Sequence, residues 1–361
     1  MLLEYQVMTH KFVTNPWTEV PHGHARTELK ALKSLLLENK KNCSIISESS
    51  EFGDYFTKPK NLTIDSKILT KNPFYTFIRF LNNYRFFYLN LQEFKKLSEP
   101  EDELIISSVN FEQFLIASIF FGNNSLHIRV FNCPEGNLTK FKKFLLNGLI
   151  KAKKFTIGTE TKEIANWFEN NLNLATQIVP PLNLIRRDDD SNKEIYIKYK
   201  KPIIGIIYPV TSTFKVDEFR EICDIFSTEK LLVKFPTLLP TIIATDNLEV
   251  IQNGISDEQL INCITRMDFI VLMNRDYLNR GSGLLTLCMS LGKNIYVFED
   301  NNFVETYKES YPLISIRNSK DIEEHYKLNK HNQLEPESRL KLGRAFVDNT
   351  KLRWESFLDI R

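Results

Sequence analysis

The sequence predicts an α/β protein of two Rossmann-like, doubly wound domains facing a central cleft. Three observations carry that prediction. Strand-length apolar runs alternate with helix-length segments through both halves of the chain, the pattern of parallel sheets covered by helices. A charged stretch without core residues, Arg186–Lys193, separates the halves and reads as an interdomain linker. A compact unit, Asp268–Glu305, runs through strand, glycine turn, buried helix and strand in succession. At 361 residues the chain exceeds the usual span of a single core, so two domains are expected, residues 1–185 and 194–361. The last helix is a candidate to pack back on the first domain.

Each element follows from local pattern. In the first half, Tyr5–Val13 is a strand, Thr14–Gly23 a loop, and Ala25–Leu37 a helix with Leu29, Leu32, Leu36 and Leu37 inward. Cys43–Ile46 is a second strand, Glu48–Asp65 is polar and irregular, and Phe74–Leu97 is a long aromatic helix. Strands at Glu103–Ser107, Leu126–Phe131, Lys154–Ile157 and Ala175–Val179 then alternate with helices at Phe111–Phe120, Leu138–Lys151 and Thr161–Asn170, the last capped by Thr159.

The second half repeats this logic. Strands are expected at Ile203–Tyr208, Leu231–Phe235, Leu248–Ile251, Phe269–Met273, Ile295–Phe298 and Leu313–Ile316. Helices are expected at Val216–Phe226, Asp257–Arg266, Leu284–Leu291, Phe303–Glu309 and Lys320–Leu328. Gly292 ends the apolar helix, with Lys293 at the negative end of its dipole. Glu335–Ile360 closes the chain as one helix, or as two broken near Gly343.

Composition excludes several classes. A net charge of +2 without a long single-sign run argues against a nucleic-acid partner. Five scattered cysteines without a CxxC pair argue against a disulfide framework or a zinc site and for a reducing compartment. No secretory signal and no apolar run of membrane-spanning length are visible, so a cytoplasmic location is expected. The Asp-rich run, Asp188–Asp190, lies in the linker with no strand before it, so metal-independent chemistry without a cofactor is expected.

The glycine unit points to phosphate chemistry. Gly281-Ser282-Gly283 follows a buried strand and opens a buried helix, where backbone N–H groups and the helix dipole can receive an anion. Arg275 and Arg280 are the nearby cations. Around this turn the chain resembles the carboxyl-terminal domain of GT-B glycosyltransferases and, more narrowly, is similar to bacterial 4-acetamido-4,6-dideoxygalactose (Fuc4NAc) transferases. The residues that carry the resemblance are Gly281, Gly283, Leu285, Leu287 and Gly292, then Asn301 and Phe303. A second patch is His127-Ile128, followed by a helix and a strand ending in Gly158-Thr159. The sequence departs from the family at Leu284, where a polar residue is usual, and at Arg129-Val130, in place of Trp-Gly. Arg280 and Cys288 stand where GT-B enzymes often carry glutamates.

The resemblance implies a bacterial GT-B glycosyltransferase of hexosyltransferase type, in which a nucleotide-diphosphate sugar serves as substrate. The acceptor would be a growing glycan of surface polysaccharide or lipopolysaccharide biosynthesis, or a lipid-linked oligosaccharide, with peripheral inner-membrane association a candidate property. Donor-binding candidates are Tyr208, Lys234, Arg275, Arg280, Gly281, Ser282, Gly283, Leu284, Glu299, Asn301 and Asn302. Catalytic candidates, as a base in an inverting transfer, are His22, His24, His127 and Glu135. A GT-B-like sialyltransferase, a nucleotide-sugar epimerase and a non-catalytic GT-B-like scaffold remain alternatives on the sequence.

Overall fold

A computed structural model describes residues 9–16, 24–47, 53–56, 73–120, 124–134, 136, 138–151, 155–183, 202–208, 216–234, 247–251, 257–273, 283–299, 303–329 and 336–360. The chain divides into two compact units. The first comprises Met1–Pro180 with Arg353–Arg361, the second Pro181–Leu352. The expected linker Arg186–Lys193 lies outside the described residues.

In the first unit the order is β1 (Lys11–Thr14), α1 (His24–Glu38), β2 (Cys43–Ser47), β3 (Tyr55–Phe56), α2 (Pro73–Leu97) and β4 (Glu103–Val109). It continues with α3 (Phe111–Phe120), β5 (Ser125–Val130), α4 (Lys140–Lys151), β6 (Phe155–Thr159), α5 (Lys162–Leu172) and β7 (Gln177–Ile178). The described strands form one parallel sheet in the order β3-β2-β1-β4-β5-β6-β7. One face carries a core of Phe12, Phe87, Phe94, Leu104, Phe114, Ile128 and Phe168, in which Phe111, Phe114, Trp167 and Phe168 meet edge to face. The chain's surplus of phenylalanine is spent partly here, where planar rings fill wide gaps between helix and sheet.

In the second unit the order is β8 (Ile203–Ile207), α6 (Val216–Ile225), β9 (Lys230–Lys234), β10 (Leu248–Ile251), α7 (Asp257–Arg266) and β11 (Phe269–Leu272). Then follow α8 (Gly283–Ser290), β12 (Asn294–Phe298), α9 (Phe303–Tyr307), β13 (Ile314–Ile316), α10 (Ser319–Asn329) and α11 (Pro336–Phe357). Its parallel sheet runs β10-β9-β8-β11-β12-β13. Both faces are covered, one by a cluster around Leu285, Met289, Tyr307 and Phe346, the other by one around Phe219, Phe226, Tyr296 and Tyr326. This explains why β8 and β11 are apolar along their whole length rather than alternating.

Three expectations need correction, and one open alternative is decided. Thr161, not Thr159, caps α5: its Oγ1 accepts from Ile164 N at 3.3 Å, because β6 runs on through Thr159 and delays the helix. Leu37, expected inward, is 56% exposed near the end of α1. Lys293 does not serve α8. It is buried, and its Nζ donates to Thr265 O at 2.7 Å and Met267 O at 2.8 Å, satisfying carbonyls at the end of α7 instead. Gly343 does not break the last helix. It lets α11 lie against the end of α8, where an added Cβ would meet Ser290 O at 2.5 Å and Gly292 N at 2.9 Å. Gly292 itself has φ of +66° and ends α8 as expected.

These contacts give a paired prediction. Gly343→Ala forces backbone against backbone and should lower stability to urea by about 2 kcal/mol. Gly148→Ala, within α4 with nothing inside 4 Å of the new Cβ, should raise it by roughly 0.5–1 kcal/mol. Equal midpoints for the two variants would contradict the close approach of α11.

Candidate functional site

In doubly wound sheets ligands bind beyond the carboxyl ends of the strands, at the point where the strand order reverses. In the second unit that point lies between β8 and β11, since the chain builds outward through β9 and β10 on one side and through β12 and β13 on the other. The strand ends there are Ile207, Lys234, Leu272 and Phe298, and α8 begins at Gly283.

Lys234 is the group at this edge whose chemistry stands out. Its side chain is largely withdrawn from water, and that burial pulls its ammonium below the ordinary lysine range. It makes no hydrogen bond or ion pair among the described residues. Its carbonyl accepts from Tyr208 N at 2.9 Å, so the backbone beneath it is fixed by β8. A cation held without a carboxylate is available to an anion.

The other expected donor residues divide. Gly283 is the first residue of α8, as the turn pattern implies. Leu284 is 8% exposed and belongs to the core beneath the helix, which explains why an apolar residue occupies that position. Tyr208 is 1% exposed, packs against Phe219 with centroids 6.5 Å apart, and has its phenol pushed up by burial, so its ring builds the core rather than a ligand wall. Glu299 follows β12, with its carboxylate 2.9 Å from Arg317 Nε in an exposed pair. Such a pair is weak enough to exchange for another partner. Arg275, Arg280, Gly281, Ser282, Asn301 and Asn302 lie outside the described residues.

In the first unit the order reverses between β1 and β4. His24 is the first residue of α1, at the carboxyl edge, while His22 and Glu135 lie outside the described residues. His127 is the third residue of β5 and is 6% exposed. Its Nδ1 lies 3.0 Å from Phe357 O and its Nε2 3.1 Å from Glu103 Oε2. Both ring nitrogens are thus engaged, one with the Phe357 carbonyl of α11 and the other with Glu103 of β4, and the ring packs edge to face with Phe357. That is a structural assignment, not a base aimed at a ligand.

Two residues after His127 on the same strand face lies a group that the sequence reading took only as a departure from a family pattern. Arg129 is 1% exposed and bridges two carboxylates, Glu28 of α1 and Glu160 after β6. Its Nε donates to Ser107 O at 2.5 Å, and its guanidinium lies 5.4 Å from the Trp354 ring centroid. The pairing of β4 with β5 explains the carbonyl. The register steps from Ile106–Ile128 to Val109–Val130, so two residues of β4 oppose one of β5, and this bulge turns Ser107 toward Arg129. Ser107 Oγ also receives Asn15 Nδ2 at 2.8 Å, and Thr14 Oγ1 receives Asn90 Nδ2 at 3.0 Å. A buried polar network therefore fixes the carboxyl ends of β1 and β4. Its signal was present in the sequence: Leu126, Ile128 and Val130 alternate with His127 and Arg129, and a strand covered on both faces has no reason to alternate unless one face is polar.

Glu103 completes the opposite, amino end of this sheet. Burial alone would raise its carboxyl, but hydrogen bonds from His127 and Lys11 and the charge of Lys11 outweigh it and hold the group at about 2. The folded value lies below its ordinary 4.5, so the stabilisation is complete above that value and is lost as pH falls from 4.5 toward about 2. Acid titration of unfolding midpoints should show this loss in the parent chain and a flatter profile in Glu103→Gln across the same window. Matching profiles would refute the assignment.

No family model matches the sequence, and no curated protein matches it. Solved structures do. A glycosyltransferase from Rickettsia africae ESF-5 aligns with a TM-score of 0.61 at 13% identity, over 98% of each chain. Sucrose-phosphate synthase from Thermosynechococcus elongatus aligns at 0.55 and 11% identity, over 97% of this chain and 96% of its own. Os79 from O. sativa in complex with UDP aligns at 0.54 and 8% identity, over 97% of this chain and all of that one. At such identities the likeness is one of fold. The chain has the GT-B fold, two Rossmann-like units each built on a parallel sheet.

Proposed function

We propose that the protein is a glycosyltransferase that moves a sugar from a nucleotide-diphosphate donor to a growing glycan, without a metal ion. The observation that carries this reading is Lys234, a half-buried ammonium with no carboxylate partner among the described residues, at the carboxyl edge beside the strand-order reversal of the second unit. A pyrophosphate is the anion that such an edge receives in this architecture. UDP in the complex of the similarly folded Os79 supports a nucleotide as the ligand.

The roles follow from charge. Lys234, with Arg275 or Arg280, would offset the negative charge that grows on the leaving diphosphate as the glycosidic bond breaks. The amides of Gly281-Ser282-Gly283 and the first turn of α8 would hold the phosphate oxygens, and the 299–302 loop would read sugar hydroxyls, with Glu299 exchanging Arg317 for the substrate. An inverting transfer needs a base on the acceptor hydroxyl, and His22 and His24 are the candidates now that His127 is engaged with Phe357 and Glu103. Surface polysaccharide, lipopolysaccharide and lipid-linked oligosaccharide are the acceptor classes, in a bacterial cytoplasm, and the resemblance of the Gly281–Gly292 stretch makes a dTDP-linked deoxyamino sugar one donor to test.

Isothermal titration against UDP, dTDP, GDP and CMP should find one nucleotide that binds. Lys234→Ala should weaken that binding about tenfold or more, the worth of a charge-assisted contact to phosphate. Since the ammonium's folded value is depressed, affinity should be full at neutral pH and fall with rising pH earlier than an ordinary lysine would dictate, while Lys234→Arg should hold its affinity there. Binding of no nucleotide, or an unchanged Kd in Lys234→Ala, would overturn the proposal.

A further inference from the structure

Asn183 stands near the start of the second unit with only one end of its amide engaged. The residue is 3% exposed, and its Nδ2 donates to Thr286 Oγ1 at 2.9 Å. Thr286 is fully buried in α8, and the same Oγ1 lies 3.0 Å from the Gly283 carbonyl. A carbonyl only accepts, so the one hydroxyl proton of Thr286 is spent on that contact. The hydroxyl can therefore only accept from Asn183, which turns the amide nitrogen toward Thr286 and leaves Oδ1 on the other side. Oδ1 makes no hydrogen bond among the described residues.

An amide oxygen left unpaired in so buried a residue is costly unless a ligand supplies the donor. Its neighbour is the first turn of α8, whose amides point their N–H groups out of the helix. The hydrogen bond from Thr286 polarises the Gly283–Leu284 peptide and strengthens the Leu284 N–H as a donor. Donors and an acceptor thus lie side by side. A bare phosphate answers only the donors, whereas a nucleotide or a sugar diphosphate carries phosphate oxygens and hydroxyls a few bonds apart.

We propose that Asn183 reads the donor substrate, its Oδ1 accepting a hydrogen bond from a hydroxyl of the ribose or of the transferred sugar while the diphosphate occupies the first turn of α8. This inference rests on the transferase reading and deepens it, since Lys234 and the amides recognise charge alone. The tether from Asn183 to α8 spans 103 residues of sequence, so the glycine turn by itself gives no sign of it.

The test is isothermal titration of the full chain with three probes: inorganic pyrophosphate, the nucleoside diphosphate that the parent binds, and the glucose conjugate of that nucleotide. Asn183→Ala should leave pyrophosphate affinity unchanged, which shows α8 to be intact, and should weaken a hydroxyl-bearing probe about fivefold, the worth of one neutral hydrogen bond. Loss that begins with the nucleoside diphosphate assigns the hydroxyl to the ribose, and loss confined to the conjugate assigns it to the sugar. Asn183→Asp keeps the shape and the acceptor but sets a negative charge beside the amides. It should weaken pyrophosphate about tenfold while keeping the parent's preference for the hydroxyl-bearing probe. An Asn183→Ala chain that binds every probe as the parent does, or that loses pyrophosphate as much as the conjugate, would overturn the proposal and leave the transferase reading standing. So would undiminished pyrophosphate binding in Asn183→Asp, or a parent that binds the nucleotide but not pyrophosphate. A parent that binds none of the three would refute both.

Discussion

A guanidinium cannot sit inside a protein without carboxylates around it, and in the first unit that requirement organises the edge of a sheet. Arg129 draws Glu28 of α1 and Glu160 after β6 to one point and takes the Ser107 carbonyl that the bulge in β4 presents. Removing either charge alone would strand the other in a medium that solvates it poorly. The network therefore specifies which helix end and which strand end meet. Asn15 and Asn90 extend it to β1 and α2.

The second unit reaches order by another route, the close approach of backbones. At Gly292 and Gly343 the end of α8 and α11 approach backbone to backbone, and Arg339 of α11 carries the link to Asp268 through Nη1 at 3.0 Å. Asp268 in turn receives Ile203 N at 2.9 Å, at the start of β8. The strand on which the candidate donor edge is built is thereby connected to the closing helix through one carboxylate. Lys293, buried between the end of α7 and Tyr311, whose hydroxyl donates to its carbonyl at 2.6 Å, fills the gap that this packing leaves.

Much of this was legible in the sequence because it depends on periodicity. The bounds of α3, β10 and α7 coincide with those read from apolar spacing and polar flanks. Sites were less legible, since a side chain's purpose is set by what tertiary structure brings to it. His127 has the chemistry of a base, but only the fold supplies Phe357 O and Glu103 on its two sides. Arg129 was visible as a charge in a strand, while its carboxylates lie 101 and 31 residues away. Gly343 left open whether the last helix was one or two, because sequence shows the cost of glycine and not the neighbour it admits. Lys234 could be placed at a strand end from sequence alone, and β9 does end there.

Helix α8 is enclosed by the core of the second unit. Every side chain from Leu284 to Ser290 is buried. The amides of its first turn are consequently immobile before any ligand arrives, and their ordering entropy was surrendered during folding. On the proposed reading, an anion at Gly283 would meet a rigid electrostatic surface, and its selectivity would be governed by shape and charge spacing rather than by adjustment of the helix.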